Sequence, residues 1–159
     1  MRNTFVPIVA CLIALAVSAP GYAQIIDSDS YIGLRVPVPT GNSADAFDPG
    51  WGIAGGSHAQ ISELFDVVIE GTWHTLMGKS LEGASLKTRD ISVLGFQVGG
   101  AVNLAIVDLG VKGGYYFNDV KEWDLTPFAH VEVWRLWLGA EYKALGDLNW
   151  GAVYANFVF

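Results

Sequence analysis

Between Phe65 and Met77 hydrophobic and polar positions trade places at almost every step. Phe65, Val67, Ile69, Gly71, Trp73, Thr75 and Met77 fall on one face of an extended strand, and Asp66, Val68, Glu70, Thr72, His74 and Leu76 fall on the other. The same period of two separates Val107, Leu109, Val111, Gly113, Tyr115 and Phe117 from Ile106, Asp108, Gly110, Lys112, Gly114 and Tyr116. It also sets Leu136, Leu138, Ala140 and Tyr142 against Trp137, Glu141 and Lys143. The last strand opposes Val153, Ala155, Phe157 and Phe159 to Tyr154 and Asn156. Eight such segments are predicted: 30–38, 50–61, 64–78, 88–102, 104–117, 123–133, 136–145 and 149–159. Turn residues punctuate them at Thr40-Gly41-Asn42-Ser43, Asp48-Pro49-Gly50, Gly78-Lys79-Ser80, Asn118-Asp119 and Gly146-Asp147. Helix has little support, because apolar residues seldom recur at the three-to-four spacing a helix needs.

A soluble antiparallel sheet also alternates, but its water-facing side should be broad, charged and rich in lysine. Here the polar faces are sparse. The pattern fits the inverted arrangement better, with Val67, Ile69, Val107, Leu109, Leu138 and Phe157 toward lipid and the ionisable residues toward a closed lumen. The predicted fold class is therefore all-β, a closed eight-stranded antiparallel up-and-down transmembrane β-barrel. The connections that follow odd-numbered segments are the longer set, whereas those near Ser62-Glu63, Asn103 and Trp134-Arg135 are tight. Transmembrane barrels show this asymmetry, with short periplasmic turns and longer external loops. If odd strands run outward, Trp51, Trp73, Tyr115, Tyr116, Phe117, Trp123, Tyr142 and Trp150 approach one interface. Phe65, Trp134, Trp137, Phe157 and Phe159 approach the other, with Tyr116 and Trp137 as candidates for the interior instead. Pro127 conflicts with regular pairing, since a closed barrel has no free edge, and an outer-rim bulge or a strand yet to join its ladder is predicted there. The alternative architecture is a soluble calycin-like barrel that would turn the apolar face inward around a small apolar ligand.

The chain has 159 residues, enough for one such domain, and is 52% hydrophobic with only 16% charged residues. A formal charge of -7 and the lack of any Lys/Arg cluster argue against nucleic acid, whose phosphates require a basic face. The one long apolar run lies at the N-terminus. Arg2, the apolar stretch 5–17 and the small residues Gly21 and Ala23 form an export signal over residues 1–23, which leaves residues 24–159 as the barrel domain. Ile8-Val9-Ala10-Cys11 has the local look of a lipoprotein box, but the apolar run before Cys11 is short and continues past it. Signal removal would take away Cys11, the only cysteine, and with it any disulfide or thiol metal ligand.

The C-terminal run Val153-Tyr154-Ala155-Asn156-Phe157-Val158-Phe159, with a terminal Phe behind alternating apolar residues, resembles the assembly signal of bacterial outer-membrane barrels. With the strand pattern, the chain looks like a small bacterial outer-membrane β-barrel of the OmpA/OmpX kind. That resemblance implies outer-membrane location, insertion by the barrel-assembly machinery through Val153, Ala155, Phe157 and Phe159, and contact with outer-membrane lipid as a monomer. The roles it implies range from structural support to adhesion or lipid modification.

Candidate chemistry collects on the predicted lumen face: Arg35, His58, Gln60, Asp66, Glu70, His74, Gln97, Asp108, Lys112, His130, Glu132, Glu141 and Lys143. Both signs are present, and unpaired charge in a closed lumen is costly, so a structural ion-pair network is expected. Asp108 with Lys112 and Glu141 with Lys143 share faces of single strands. A barrel enzyme acting on lipid would need a nucleophile and base in contact. Glu132 could orient His130, but Val131, Val133 and Trp134 offer no nucleophile beside it, so no catalytic residue is assigned. His58, His74 and His130 sit on separate strands without metal-ligand spacing, and no metal or cofactor is expected. The loop 39–49 is acidic through Asp45 and Asp48 and carries Phe47 as an exposed-looking aromatic.

Overall fold

The computed structural model describes residues 27–80 and 87–159, so the export signal, its cut before Gln24 and Cys11 lie outside the described residues. Eight antiparallel strands follow one another around a closed barrel: β1 (Ser28–Pro39), β2 (Phe47–Ser62), β3 (Phe65–Gly78), β4 (Ile91–Leu104), β5 (Val107–Asn118), β6 (Trp123–Val133), β7 (Leu136–Leu145) and β8 (Leu148–Val158). One short helical turn, α1 (Ser43–Ala46), interrupts the connection between β1 and β2. Closure runs along β1 and β8, from Tyr31 opposite Val158 to Pro39 opposite Trp150. Backbone bonds between Ser30 and Phe159 fasten its end.

The alternation becomes the wall. Leu34 and Val153 are 66% and 57% exposed on the outside, while Arg35 and Glu70 are each 1% exposed within. Val67, Ile69, Val107, Leu109, Leu138 and Phe157 all point outward by the same parity. A calycin-like barrel would require the opposite sidedness, whereas here the interior holds the charged residues.

Glu63-Leu64, Ala105-Ile106 and Trp134-Arg135 make the tight turns at one end, and the longer loops lie at the other. The turn predicted at Asn103 thus falls at Ala105-Ile106. Ala105 takes a φ of 63° there, a left-handed conformation for which its side chain gives no local signal. Asp48-Pro49-Gly50 is not a separate turn but an irregularity inside β2, where the β2–β3 register shifts between Asp48 and Trp51. Phe47 is correspondingly not a loop aromatic. It begins β2 and packs on the interior cluster of Leu76, Val93, Tyr116, Leu145 and Trp150. Trp150, assigned above to an aromatic belt, is fully buried in that cluster, because Leu148 starts β8 and its even-numbered residues point inward. Tyr116 and Trp137 are also internal, whereas Trp51, Trp73, Tyr115, Phe117 and Trp123 stay on the outer wall near the long-loop end.

The prolines are placed by hydrogen-bond parity. Tyr116 N–H donates to Glu122 O, which makes the even-numbered residues of β6 the ones bonded to β5 and turns Pro127 toward β7. The β6–β7 ladder begins only at Phe128 opposite Glu141, so the N–H that proline lacks falls where no ladder exists. Pro37 and Pro39 obey the same rule. Thr40 N–H bonds to Asn149 O, so the odd residues of β1 turn to β2, whose ladder has ended at Arg35 opposite Gly52.

Asp124 bridges the open β6–β7 seam with its side chain: Oδ1 accepts from Ala144 N–H at 3.2 Å, and Oδ2 accepts from Gln97 and Thr126. Asp124→Ala should strip these acceptors from a buried site and cost about 1–3 kcal/mol. Amide exchange at Ala144 should then accelerate while exchange in the β7–β8 ladder stays near its parent rate. Unchanged exchange at Ala144 would show that the carboxylate does not close the seam.

Candidate functional site: the charged interior

Inside the barrel, side chains form strata. Midway up, Arg35, Glu70, Lys112 and Glu141 converge, one from each odd-numbered strand, since these strands present inward positions at one height. Arg35 Nη2 lies 2.7 Å from Glu70 Oε2, and Lys112 Nζ lies 2.6 Å from Glu70 Oε1 and 2.9 Å from Glu141 Oε2. Arg35 Nε and Lys143 Nζ approach Glu141 Oε1 at 3.6 and 3.3 Å. Three cations thus enclose two carboxylates. Neutral donors and rings complete the shell. Tyr31 donates to Glu70 Oε2 at 2.7 Å, Arg35 donates to Asn156 Oδ1 at 2.5 Å, and the Arg35 guanidinium lies 4.2 Å from the centre of the Tyr154 ring.

The next layer toward the long loops is held by amide and hydroxyl groups. Lys143 Nζ donates to Gln97 Oε1 at 3.0 Å, and Gln97 Nε2 donates to Thr126 at 2.7 Å and Asp124 at 3.1 Å. Thr72 Oγ1 and His74 Nε2 are 2.6 Å apart and both fully buried. Gly95 admits this filling, since a Cβ there would stand 2.5 Å from the Tyr116 ring. The apolar cluster around Tyr116 and Trp150 then closes the long-loop end.

Toward the short turns lies a layer of rings. His130 stacks on Trp137 at 4.8 Å between ring centres, and His58 is 4.4 Å from the same indole. His130 Nε2 stands 2.8 Å from Asp108 Oδ2, and its Nδ1 is 3.3 Å from Tyr154 Oη. Its carboxylate is therefore Asp108, not Glu132. Asp108 is the direct cross-strand neighbour of His130, whereas Glu132 is two positions along the same strand and sits exposed at the rim. Asp108 and Lys112 do not pair either, because Lys112 is drawn to Glu70 and Glu141, while Glu141 and Lys143 do meet. Tyr31, Asn156, Asp124 and Thr126 belong to the network without having been singled out. Asp124 and Thr126 share strand and parity with His130, which was the available signal. Among the described residues, no three His, Asp or Glu side chains converge as a metal ion would require.

No family model and no curated protein sequence matches the chain. In solved structures it is similar to a designed transmembrane β-barrel, with 18% identity over 82% of this chain and 95% of that one and a TM-score of 0.51. It is also similar to Ail, the attachment invasion locus protein of Yersinia pestis, in complex with the heparin analogue sucrose octasulfate. That match has 14% identity over 83% of this chain and 97% of the other and a TM-score of 0.50. The fold is that of a small transmembrane β-barrel.

Proposed function

We propose that this protein is an exported outer-membrane barrel with a structural or surface-interaction role, its lumen closed by its own side chains and without enzymatic activity. The carrying observation is the sidedness of the wall: a continuous apolar exterior around the Arg35–Glu70–Lys112–Glu141–Lys143 network. An eight-stranded ring has an interior just wide enough for side chains. Two polar layers and the Tyr116–Trp150 cluster occupy it in succession, and this filling supports a closed lumen. Outer-membrane lipid is then the wall's partner, and Val153, Ala155, Phe157 and Phe159 supply the strand read by the assembly machinery. The chain works as a monomer in this reading.

A lipid-modifying enzyme lacks support from the side chains. Thr72 beside His74 and Tyr154 beside His130 are the hydroxyl–imidazole contacts such chemistry would draw on, and all four residues are buried inside the barrel, away from an acyl ester in the membrane. Ail's heparin-analogue complex has no evident counterpart either. At the long-loop end Lys79, Lys87 and Arg89 lie 4.0, 3.1 and 3.4 Å from Asp48, Asp90 and Asp119, which leaves Lys121 as the cation of that end without an ion pair among the described residues.

Expression in a Gram-negative host should give a heat-modifiable species in the outer-membrane fraction. Liposomes containing it should swell in arabinose no faster than empty ones. Recovery in the buffer-soluble periplasm would end the membrane reading, and rapid swelling would end the closed-lumen reading.

A further inference from the structure

Two of the barrel's ladders stop at the height of the central charged layer. Pairing of β1 with β2 ends at Arg35 opposite Gly52, and pairing of β6 with β7 starts only at Phe128 opposite Glu141. The ladders beside them continue toward the long loops, to Pro39 opposite Trp150 between β1 and β8 and to Leu145 opposite Leu148 between β7 and β8. On the far side, pairing likewise runs unbroken from β3 to β6 and, past the β2 irregularity, reaches Phe47 opposite Gly78. The long-loop half is therefore two separately paired sets of strands, a panel of β7, β8 and β1 and a wall of β2 to β6, with no ladder between them among the described residues.

Both seams are suited to staying unladdered. Pro37 and Pro39 turn toward β2 and Pro127 toward β7, so each removes a backbone donor that hydrocarbon would leave without a partner. Asp124 caps another, the N–H of Ala144. The base of the panel is fixed, since Arg35 is held to Glu70 and Glu141 to Lys112 of the wall. Above that base Lys143 bonds to Gln97 and Thr126, and the remaining contact is apolar: Leu145, Trp150 and Ala152 of the panel pack on Leu76, Val93 and Tyr116 of the wall. Parting these two faces bares apolar surface on both, which calls for an apolar occupant. Leu125 and Tyr142, 65% and 44% exposed on the outer face, border the β6–β7 seam, so the apolar group at hand there is bilayer hydrocarbon.

We propose that the β6–β7 seam admits one acyl chain of a bilayer lipid, from the leaflet at the long-loop end, which lodges between panel and wall in the Tyr116–Trp150 cluster. The site rests on the membrane reading above. It leaves the lumen closed to water, because Arg35, Glu70, Lys112 and Glu141 stay joined beneath the chain.

The probe is a phosphatidylcholine with a photoactivatable diazirine midway along one acyl chain, mixed into vesicles that hold the protein isolated from outer membranes. Adducts are mapped by peptide mass spectrometry. Ile69 and Val153 on the outer face should be labelled, and so should Leu145, Trp150 or Tyr116 in the cluster. Trp137, inside the barrel on the other side of the charged layer, should not be. Pro127→Val restores a backbone donor facing β7 and should lower the cluster adducts about fivefold, the weight of one added hydrogen bond, without changing those at Val153. Asp124→Ala should raise them. Should Asp124→Ala fail to give a heat-modifiable species, the parent and Pro127→Val decide. Adducts on the outer face with none in the cluster would overturn the acyl site and spare the membrane reading. Interior labelling that extends to Trp137, or that Pro127→Val leaves unchanged, would mean entry from a mouth of the barrel and would overturn it too. No adducts at Ile69 and Val153 would remove the membrane reading and the site with it.

Discussion

Replacing Glu141 with glutamine is expected to destabilise the folded barrel by about 3–5 kcal/mol, the largest loss from any single change of charge in its interior. Glu141 is fully buried and faces Arg35, Lys112 and Lys143. Without it, three cations share Glu70 alone, and the amide that replaces the carboxylate keeps the shape but not the charge. The cost is thus one of uncompensated burial rather than of packing. Lys112→Met tests that distinction, because it removes a cation that touches both acids and leaves a balanced set of two cations and two carboxylates. Combined with Glu141→Gln it should recover roughly 1–3 kcal/mol of the loss, a coupling typical of groups in one network. Urea unfolding of the barrel in lipid vesicles, followed by the heat-modifiable fraction, reads both effects. Additive losses, or a Glu141→Gln barrel within about 0.5 kcal/mol of the parent, would mean the network does not hold the strands.

Arg35, Glu70, Lys112, Glu141 and Lys143 take the inward parity that the alternation gives them, but of their pairings only Glu141 with Lys143 could be read from the chain. A period of two decides which face a side chain takes, so Arg35, Glu70, Lys112 and Glu141 could be assigned to the interior from sequence. The partner of each depends on strand stagger and on the distance across the ring, neither of which is written in the alternation. Hence Glu132 was matched to His130 along one strand, whereas the stagger of β5 against β6 sets Asp108 opposite it. The turn at Ala105-Ile106 was misplaced for a related reason: apolar residues fill it, and only the backbone shows the left-handed φ. Pro127 was visible as an exception, and its cause, a ladder that starts at Phe128, required the register.

Height within the wall also separates positions that the alternation treats as equals, and arginine substitution on the outer face measures it. Ile69 adjoins Glu70, whose carboxylate lies in the central charged layer, and pairs with Ser57 and Val98 on either side. Val107 has the same outward parity but is the first residue of β5, beside the Ala105-Ile106 turn. Val67 lies between these levels. Ile69→Arg should cost about 2–4 kcal/mol, as expected near the bilayer midplane, and Val107→Arg about 0–1 kcal/mol, because its side chain can reach the interface. Both variants keep the interior intact, so the difference isolates depth in hydrocarbon from packing of the lumen. Reversible unfolding from vesicles of fixed acyl length gives the two values, and shorter acyl chains should narrow the gap by bringing the interface closer to Ile69. Equal costs at the two sites, or an Ile69→Arg protein that folds without detergent or lipid, would be incompatible with a wall immersed in a bilayer.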